Sequence, residues 1–278
     1  MRLLAVLLLC LVVATEGWKG GVVDFTPMPF TTRATAASVA GANLASYRAA
    51  LSAASSAGVD FVVFPEFGVS SGHVFSGPKS AERGNVGAFA QPLPDVMGGV
   101  PCNNTAYNAS WMLQTLSCAT AESGVWAAAN LVEDGGDGKI YNAEVVLDGN
   151  GVVVAKYRKS HVWFKHAFDQ PQEPDLVSFT ASFESGAQVQ MGLMVCFDIA
   201  YHSPGAVLAS RGIKVFPYSA SEGVAGPEVV KAWSYLHNTT VLASNDDGHS
   251  SFYHAGHGIP HTAVDVAVNN VLLVAEIV

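Results

Sequence analysis

Positive charge is scarce in this chain. Lysine and arginine together number 14 against 23 aspartates and glutamates, and the formal net charge is -9. A protein that binds nucleic acid needs a basic footprint, so that partner class is set aside. Charged residues of either sign make up only 13% of the 278 residues while half are hydrophobic, a balance that excludes a disordered chain and allows a large buried core. There is no internal repeat, no low-complexity tract and no linker rich in proline, glycine or serine that would divide domains. After the N-terminus no stretch has the uninterrupted apolar length of a membrane-spanning helix.

The N-terminus is the exception. Arg2 is followed by an apolar run from Leu3 to Ala14 and then by Thr15, Glu16 and Gly17. A short basic start, an apolar stretch too short to span a bilayer and small residues after it read as a secretory signal peptide over residues 1–17, leaving residues 18–278 as one domain. A buried first strand or a membrane anchor is the competing reading.

Cysteine is also sparse, with four in the chain. Cys10 lies in the presumed signal, which leaves Cys102, Cys118 and Cys196. An odd number leaves one thiol unpaired. Cys102 and Cys118 bracket a polar segment and are either a disulfide of an oxidising compartment or two buried thiols. Asn103, Asn108 and Asn238 each open an N-x-[ST] pattern, the acceptor of N-linked glycans in exported proteins. Asn238 follows an apolar run and is expected to be the least accessible.

Apolar strands alternate with helices along the chain. Strands are expected at Val22–Phe25, Phe61–Phe64, Val125–Leu131, Val189–Cys196, Val215–Pro217, Thr240–Ser244, Val264–Val266 and Val271–Ile277. Tyr141–Leu147 and Val152–Tyr157 form a hairpin around Asp148-Gly149-Asn150-Gly151. Helices are expected at Ala37–Ala57, Ser110–Ser123, Ser203–Ser210 and Glu228–His237. This alternation implies an α/β layered fold with a mixed sheet.

Three apolar strands end in a residue that can do chemistry. Phe61-Val62-Val63-Phe64 runs into Pro65 and Glu66. Proline cannot continue a central ladder, so Glu66 stands at a strand end, where desolvation can tune a general base. The hairpin's second strand runs into Lys156-Tyr157-Arg158-Lys159. Such a run is commonly a solvated basic patch; a catalytic reading needs one ammonium turned inward toward an oxyanion. Met191-Gly192-Leu193-Met194-Val195 delivers Cys196 to a tight turn, the setting of a strand-to-turn nucleophile, whose thiol pKa nearby cations would lower. A structural buried cysteine is the alternative. Glu66 as base, Lys159 as oxyanion stabiliser and Cys196 as nucleophile would hydrolyse an amide through a thioester. That chemistry requires no metal or other cofactor, and His202, His249, His254, His257 and His261 lack the spacing of a zinc site.

Phe64-Pro65-Glu66, Tyr157-Arg158-Lys159-Ser160-His161 and Val195-Cys196-Phe197-Asp198, in this order and spacing, resemble the three signatures of the nitrilase (carbon-nitrogen hydrolase) superfamily. The Pro101-Cys102 to Cys118 segment, Phe168-Asp169-Gln170-Pro171, and Cys196-Phe197-Asp198-Ile199 with His202 and Pro204 resemble its biotinidase and vanin (pantetheinase) branch. So do Phe216-Pro217 and Leu242-Ala243-Ser244-Asn245. The resemblance implies a four-layer α-β-β-α sandwich of the nitrilase type. It implies Glu66, Lys159 and Cys196 as catalytic residues, the Phe197 backbone N–H as an oxyanion donor, and Glu133 as a second, supporting glutamate. It further implies a small-molecule substrate, a linear amide of pantetheine or biotin type, and a homodimer by analogy. Phe67 stands where the branch has an acidic residue, and Tyr218-Ser219-Ala220-Ser221 replaces a Trp-centred stretch, so another amidase such as an ω-amidase or aliphatic amidase is the alternative, and a non-catalytic secreted binding protein the third. The branch carries a further C-terminal domain, whereas Val278 falls near the expected end of the sandwich, as in a compact relative or a piece of a longer protein.

Overall fold

A computed structural model describes residues 17–31, 33–221, 226–246, 248–267 and 270–277. The segment expected to be a signal peptide lies, but for Gly17, outside the described residues.

The strands are β1 (Trp18–Phe25), β2 (Phe61–Val63), β3 (Trp126–Asp134), β4 (Ile140–Leu147), β5 (Val153–Arg158), β6 (Ser178–Ser182), β7 (Gln188–Gly192), β8 (Met194–Val195), β9 (Val215–Ser219), β10 (Thr240–Ser244), β11 (Ser251–His254), β12 (His257–Gly258), β13 (Thr262–Ala267) and β14 (Asn270–Ile277). The helices are α1 (Ala36–Ser56), α2 (Lys79–Gly87), α3 (Trp111–Ser123), α4 (Val207–Ser210) and α5 (Pro227–His237). One sheet has the order β13-β14-β1-β2-β3-β4-β5, parallel only at β1–β2–β3. The other runs β12-β11-β10-β9-β7-β6, with β8 also paired to β9.

Alternation along the strands builds the layers. In β2, Val62 packs with α1 and α3 residues such as Leu44, Leu51, Leu113 and Leu116. Its neighbours Phe61 and Val63 point the other way, against Phe216, Leu242 and Phe252 of the second sheet. That second core continues to Leu208 of α4 and Val230 and Trp233 of α5. The result is helix, sheet, sheet, helix, the four-layer arrangement expected. The sheets approach closely at Gly20, where a Cβ would lie 2.9 Å from Leu242 Cδ2. α1 starts in a reciprocal capping box: Thr35 Oγ1 accepts from Ser38 N and Ser38 Oγ from Thr35 N, each at 3.1 Å.

Several expected elements change. The apolar run 189–196 is not one strand but two, broken at Leu193, whose N–H goes to Val177 O. The break faces Pro217: β9 pairs with β7 at Met191↔Val215 and with β8 from Met194↔Tyr218. A proline with no N–H to give is tolerated inside β9 because its neighbour's ladder is interrupted there. β9 therefore continues past Pro217 to Ser219. The helix expected over Ser203–Ser210 is regular only from Val207, since Ser203, before Pro204, has φ -106° and ψ 143°. α2, β6, β11 and β12 were not expected from the pattern. In α2 only Glu82 and Val86 are buried, too thin a stripe to read as periodic.

Cys102 and Cys118 are joined in a disulfide, and Cys196 is free and buried. Asn103, Asn108 and Asn238 are all exposed. Asn238 is exposed as well: it caps α5 in a left-handed conformation, φ 49°, at the end of the apolar run before it. No helix among the described residues is long and apolar enough to cross a membrane.

Candidate active site

The three strand-end residues meet at one end of the sandwich. Glu66 follows β2, Lys159 follows β5 and Cys196 follows β8, and all three line a single cavity of about 280 Å³. β2 and β5 belong to the first sheet and β8 to the second, so the site straddles the interface between them.

Glu66 is 1% exposed. Its backbone N–H donates to Ala220 O at 3.1 Å, which ties the turn after β2 to the end of the second sheet. Its Oε1 accepts from Lys159 Nζ at 2.6 Å and from Asn142 Nδ2 at 2.7 Å. A chain of amides fixes that geometry. Asn130 Nδ2 donates to Asn142 Oδ1 at 2.7 Å, and Asn130 Oδ1 accepts from Phe67 N at 3.1 Å. With its oxygen committed to Asn130, Asn142 can present only its NH₂ to Glu66.

The basic run resolves by alternation. Tyr157 and Lys159 turn inward, while Lys156 and Arg158 turn out. Lys159 is 2% exposed. Burial is the largest single influence and opposes its charge, but Glu66, Cys196 and Asp198 together exceed it and raise the ammonium to about 12. Lys156 and Arg158 both bind Glu133, Arg158 through two nitrogens at 2.7 Å each. Glu133 is thus occupied away from the cavity and is not the supporting glutamate of the site. Glu144 is instead the carboxyl group buried within reach of the charges of Glu66 and Lys159. The register of β3 and β4 sets Glu133 opposite Tyr141 and Asn130 opposite Glu144. Glu133 and Asn130 fall in opposite alternation sets of β3, and Glu144 shares its face of β4 with Asn142.

Glu144 is fully buried. Burial pushes its carboxyl up to about 8, with the charge of Glu66 adding, against hydrogen bonds from Ser219 and Asn130 and the charge of Lys159. Ser219 Oγ lies 2.6 Å from Phe64 O and 2.8 Å from Glu144 Oε1. A hydroxyl has one hydrogen, and the Phe64 carbonyl can only accept. The one hydrogen of Ser219 is therefore shared between the Phe64 carbonyl and Glu144 Oε1.

Cys196 opens a short 3-10 turn, Cys196–Ala200, with φ 45°, the left-handed region that side chains seldom adopt. Asp198 holds this turn: Oδ2 accepts from Val195 N at 3.0 Å and Oδ1 from His161 N at 2.9 Å. The Tyr218 hydroxyl donates to Cys196 O at 2.8 Å. The thiol donates a weak bond to Ser221 O at 3.9 Å. Burial pushes the thiol up to about 12, the Glu66 carboxylate adds to this, and Lys159 opposes it. The expectation of a thiol lowered by neighbouring cations is therefore overturned: the one inward cation is matched by Glu66, and burial dominates. Phe197, next in the turn, lines the cavity.

Sequence reasoning missed Asn130, Asn142, Glu144 and Ser219. Their signal is polar side chains at alternate positions of otherwise buried strands, as in Asn142-Ala143-Glu144. Phe67 and Ser221, where the sequence departs from the branch, do line the cavity, whereas Tyr218 and Ser219 lie behind it. Among the described residues no group of three or more His, Cys, Asp or Glu side chains is placed to hold a metal ion.

The chain is 30% identical over 239 residues to biotinidase of Mus musculus, which covers 79% of this chain and 44% of that protein. It is 29% identical over 228 residues to pantetheinase of Bos taurus, covering 73% of this chain and 41% of that one. It spans less than half the length of these relatives. Among solved structures, an amidase from Nesterenkonia sp. superposes with a TM-score of 0.67 at 18% identity, over 96% of this chain and 92% of the other. That likeness shows the nitrilase-type fold. The sequence matches carbon-nitrogen hydrolase over residues 33–245, most of its length. With the fold in agreement, the chain belongs to the carbon-nitrogen hydrolase family, in kinship with biotinidase and pantetheinase.

Proposed function

We propose that this protein hydrolyses a linear, non-peptide amide through a thioester on Cys196. The observation that carries the reading is the buried Lys159–Glu66 pair beside the free thiol of Cys196 in one cavity. Lys159 and Asn142 both engage Oε1 of Glu66, which leaves Oε2 for the thiol proton. Burial and the Glu66 carboxylate push the thiol up, which supports a base that acts as the sulfur attacks. The carbonyl carbon is attacked by Sγ, and the oxyanion is met by the Lys159 ammonium and the Phe197 backbone N–H. The proton taken by Glu66 passes to the departing amine as the C–N bond breaks. Glu66 then takes a proton from water, which attacks the thioester and releases the acid and the thiol.

The kinship supports a substrate resembling a pantetheine or biotin amide. Phe67 and its aromatic neighbours favour a second reading, an amidase of simpler aliphatic amides. The Cys102–Cys118 disulfide, the N-terminal apolar run and the exposed Asn103, Asn108 and Asn238 support secretion through an oxidising, glycosylating compartment. A homodimer is part of the same reading by analogy with the family, and light scattering tests it.

The experiment is hydrolysis of pantetheine, biocytin and a simple aliphatic amide by the purified protein, with Cys196→Ala as control. Turnover of any of them that the variant lacks sustains the reading. No turnover, together with no labelling of Cys196 by a thiol probe, overturns it.

A further inference from the structure

Apart from Glu66, Lys159 and Cys196, six of the eleven described residues that line the cavity are aromatic. Phe67, Phe75, Phe164 and Phe168 form one connected cluster. Phe75 and Phe164 stack with centroids 3.7 Å apart, Phe67 meets Phe75 edge-on at 5.0 Å, and Phe67 and Phe168 lie 5.9 Å apart. Trp163 and Phe197 pack edge to face on a further wall, centroids 4.8 Å apart. These rings come from three separate segments and converge on the space beside Cys196.

Charge is as informative as shape. Among the described lining residues the only cation is Lys159, and its ammonium is already paired with Glu66 at 2.6 Å. A carboxylate carried into this cavity would lose its water, meet no unpaired cation among the described lining residues and face the Glu66 carboxylate.

During the reaction the amine leaves while the acyl group stays bonded to Sγ until water attacks. The enclosed walls therefore act longest on the acyl half. Building on the amide-hydrolase reading above, we propose that this site selects an uncharged, largely apolar acyl group, alkyl or aryl, and rejects acyl groups that end in a carboxylate. Phe67, Phe75, Phe164 and Phe168 are the residues that make the selection. An ω-amidase substrate, with its acidic acyl tail, does not fit; an uncharged acyl chain such as biotinyl remains compatible.

The test is a matched pair of primary amides with the wild-type protein. 4-Methylpentanamide and succinamate have the same shape, an isopropyl group in one replacing the carboxylate of the other, and phenylacetamide is the aryl probe. The expected result is kcat/KM for 4-methylpentanamide on the order of 100-fold above succinamate, with phenylacetamide also turned over. Phe164→Arg, which places a cation on the wall, should shrink the ratio about tenfold. Equal use of the pair, or preference for succinamate, overturns the proposal while leaving the hydrolase reading intact. If no amide is cleaved and Cys196 resists thiol probes, the hydrolase reading falls and this proposal falls with it. The wild-type ratio decides the matter even if Phe164→Arg fails to fold.

Discussion

The Tyr157 hydroxyl donates to Asp198 Oδ2 at 2.7 Å, and through that bond the strand that delivers Lys159 is tied to the turn that delivers Cys196. Burial keeps Tyr157 a phenol, so its single hydrogen goes to the carboxylate, and Ser160 N donates back to the phenol oxygen at 3.0 Å. Asp198, wholly buried, also accepts from Val195 N and His161 N. One carboxyl group thus gathers donors from both loops of the site.

Asp198→Asn keeps the shape but replaces an acceptor oxygen with a donor facing other donors. The expected loss is roughly 1–3 kcal/mol of stability and more than tenfold in kcat, because Lys159 and Cys196 lose their common anchor. Tyr157→Phe removes one bond and should cost about 1 kcal/mol. Urea denaturation and steady-state kinetics measure both. A variant that loses stability but retains the wild-type kcat would reduce Asp198 to a structural role.

Glu144 gives the protein a pH-dependent stability of definite sign. Its folded carboxyl titrates at about 8 against an ordinary value of 4.5. Between these values the unfolded chain has released the proton and the folded chain has not. The stability linked to this group is therefore full below about 4.5 and declines as pH rises toward 8. Glu144→Gln mimics the protonated form and removes the decline. The variant should gain on wild type by roughly 1–3 kcal/mol between pH 5 and pH 8 in denaturation midpoints. An identical gap at the two pH values would show that Glu144 is ionised in the fold.

Glu133 separates position in sequence from position in the site. Glu133→Gln leaves Lys156 and Arg158 short of their shared buried partner. A loss of roughly 1–3 kcal/mol is expected, less than for a fully buried pair because Arg158 is partly exposed. kcat should stay within about twofold of wild type, since Glu133 is not among the described residues that line the cavity. A drop of tenfold or more in kcat with unchanged stability would restore it to the site.

Glu133 and Glu144 also mark where the sequence is legible and where it is not. Glu66, Lys159 and Cys196 stand out because each interrupts an apolar run at its end, and a strand end is visible in one dimension. Glu144 lies inside a strand and gains its meaning from the β3–β4 register, which places Asn130 opposite it. Two carboxylates on paired strands differ only in which face they take, and a one-residue offset exchanges them. The break at Leu193 has the same origin: it is set by Pro217, a residue of the neighbouring strand. The aromatic wall is non-local too, since Phe67, Phe75 and Phe164 are neighbours only once the loops close over the cavity.

Cys196 itself provides the last test. Two groups pull its thiol in opposite directions, Glu66 upward and Lys159 downward, on top of the upward push of burial. Glu66→Gln removes the upward charge and frees the Lys159 ammonium to act on sulfur alone. The thiol should then ionise at lower pH than in wild type, and alkylation by iodoacetamide at neutral pH should speed up, because a small alkylating agent needs thiolate but no proton donor for a leaving group. Amide hydrolysis should nevertheless fall by at least ~100-fold, since no base remains to shuttle the proton to the amine and later to activate water. The pH dependence of alkylation, set beside kcat/KM for an amide, resolves the two effects. If Glu66→Gln slows alkylation and hydrolysis in equal proportion, the carboxylate is assisting ionisation of the resting thiol, and the order of proton transfer proposed for the reaction is wrong.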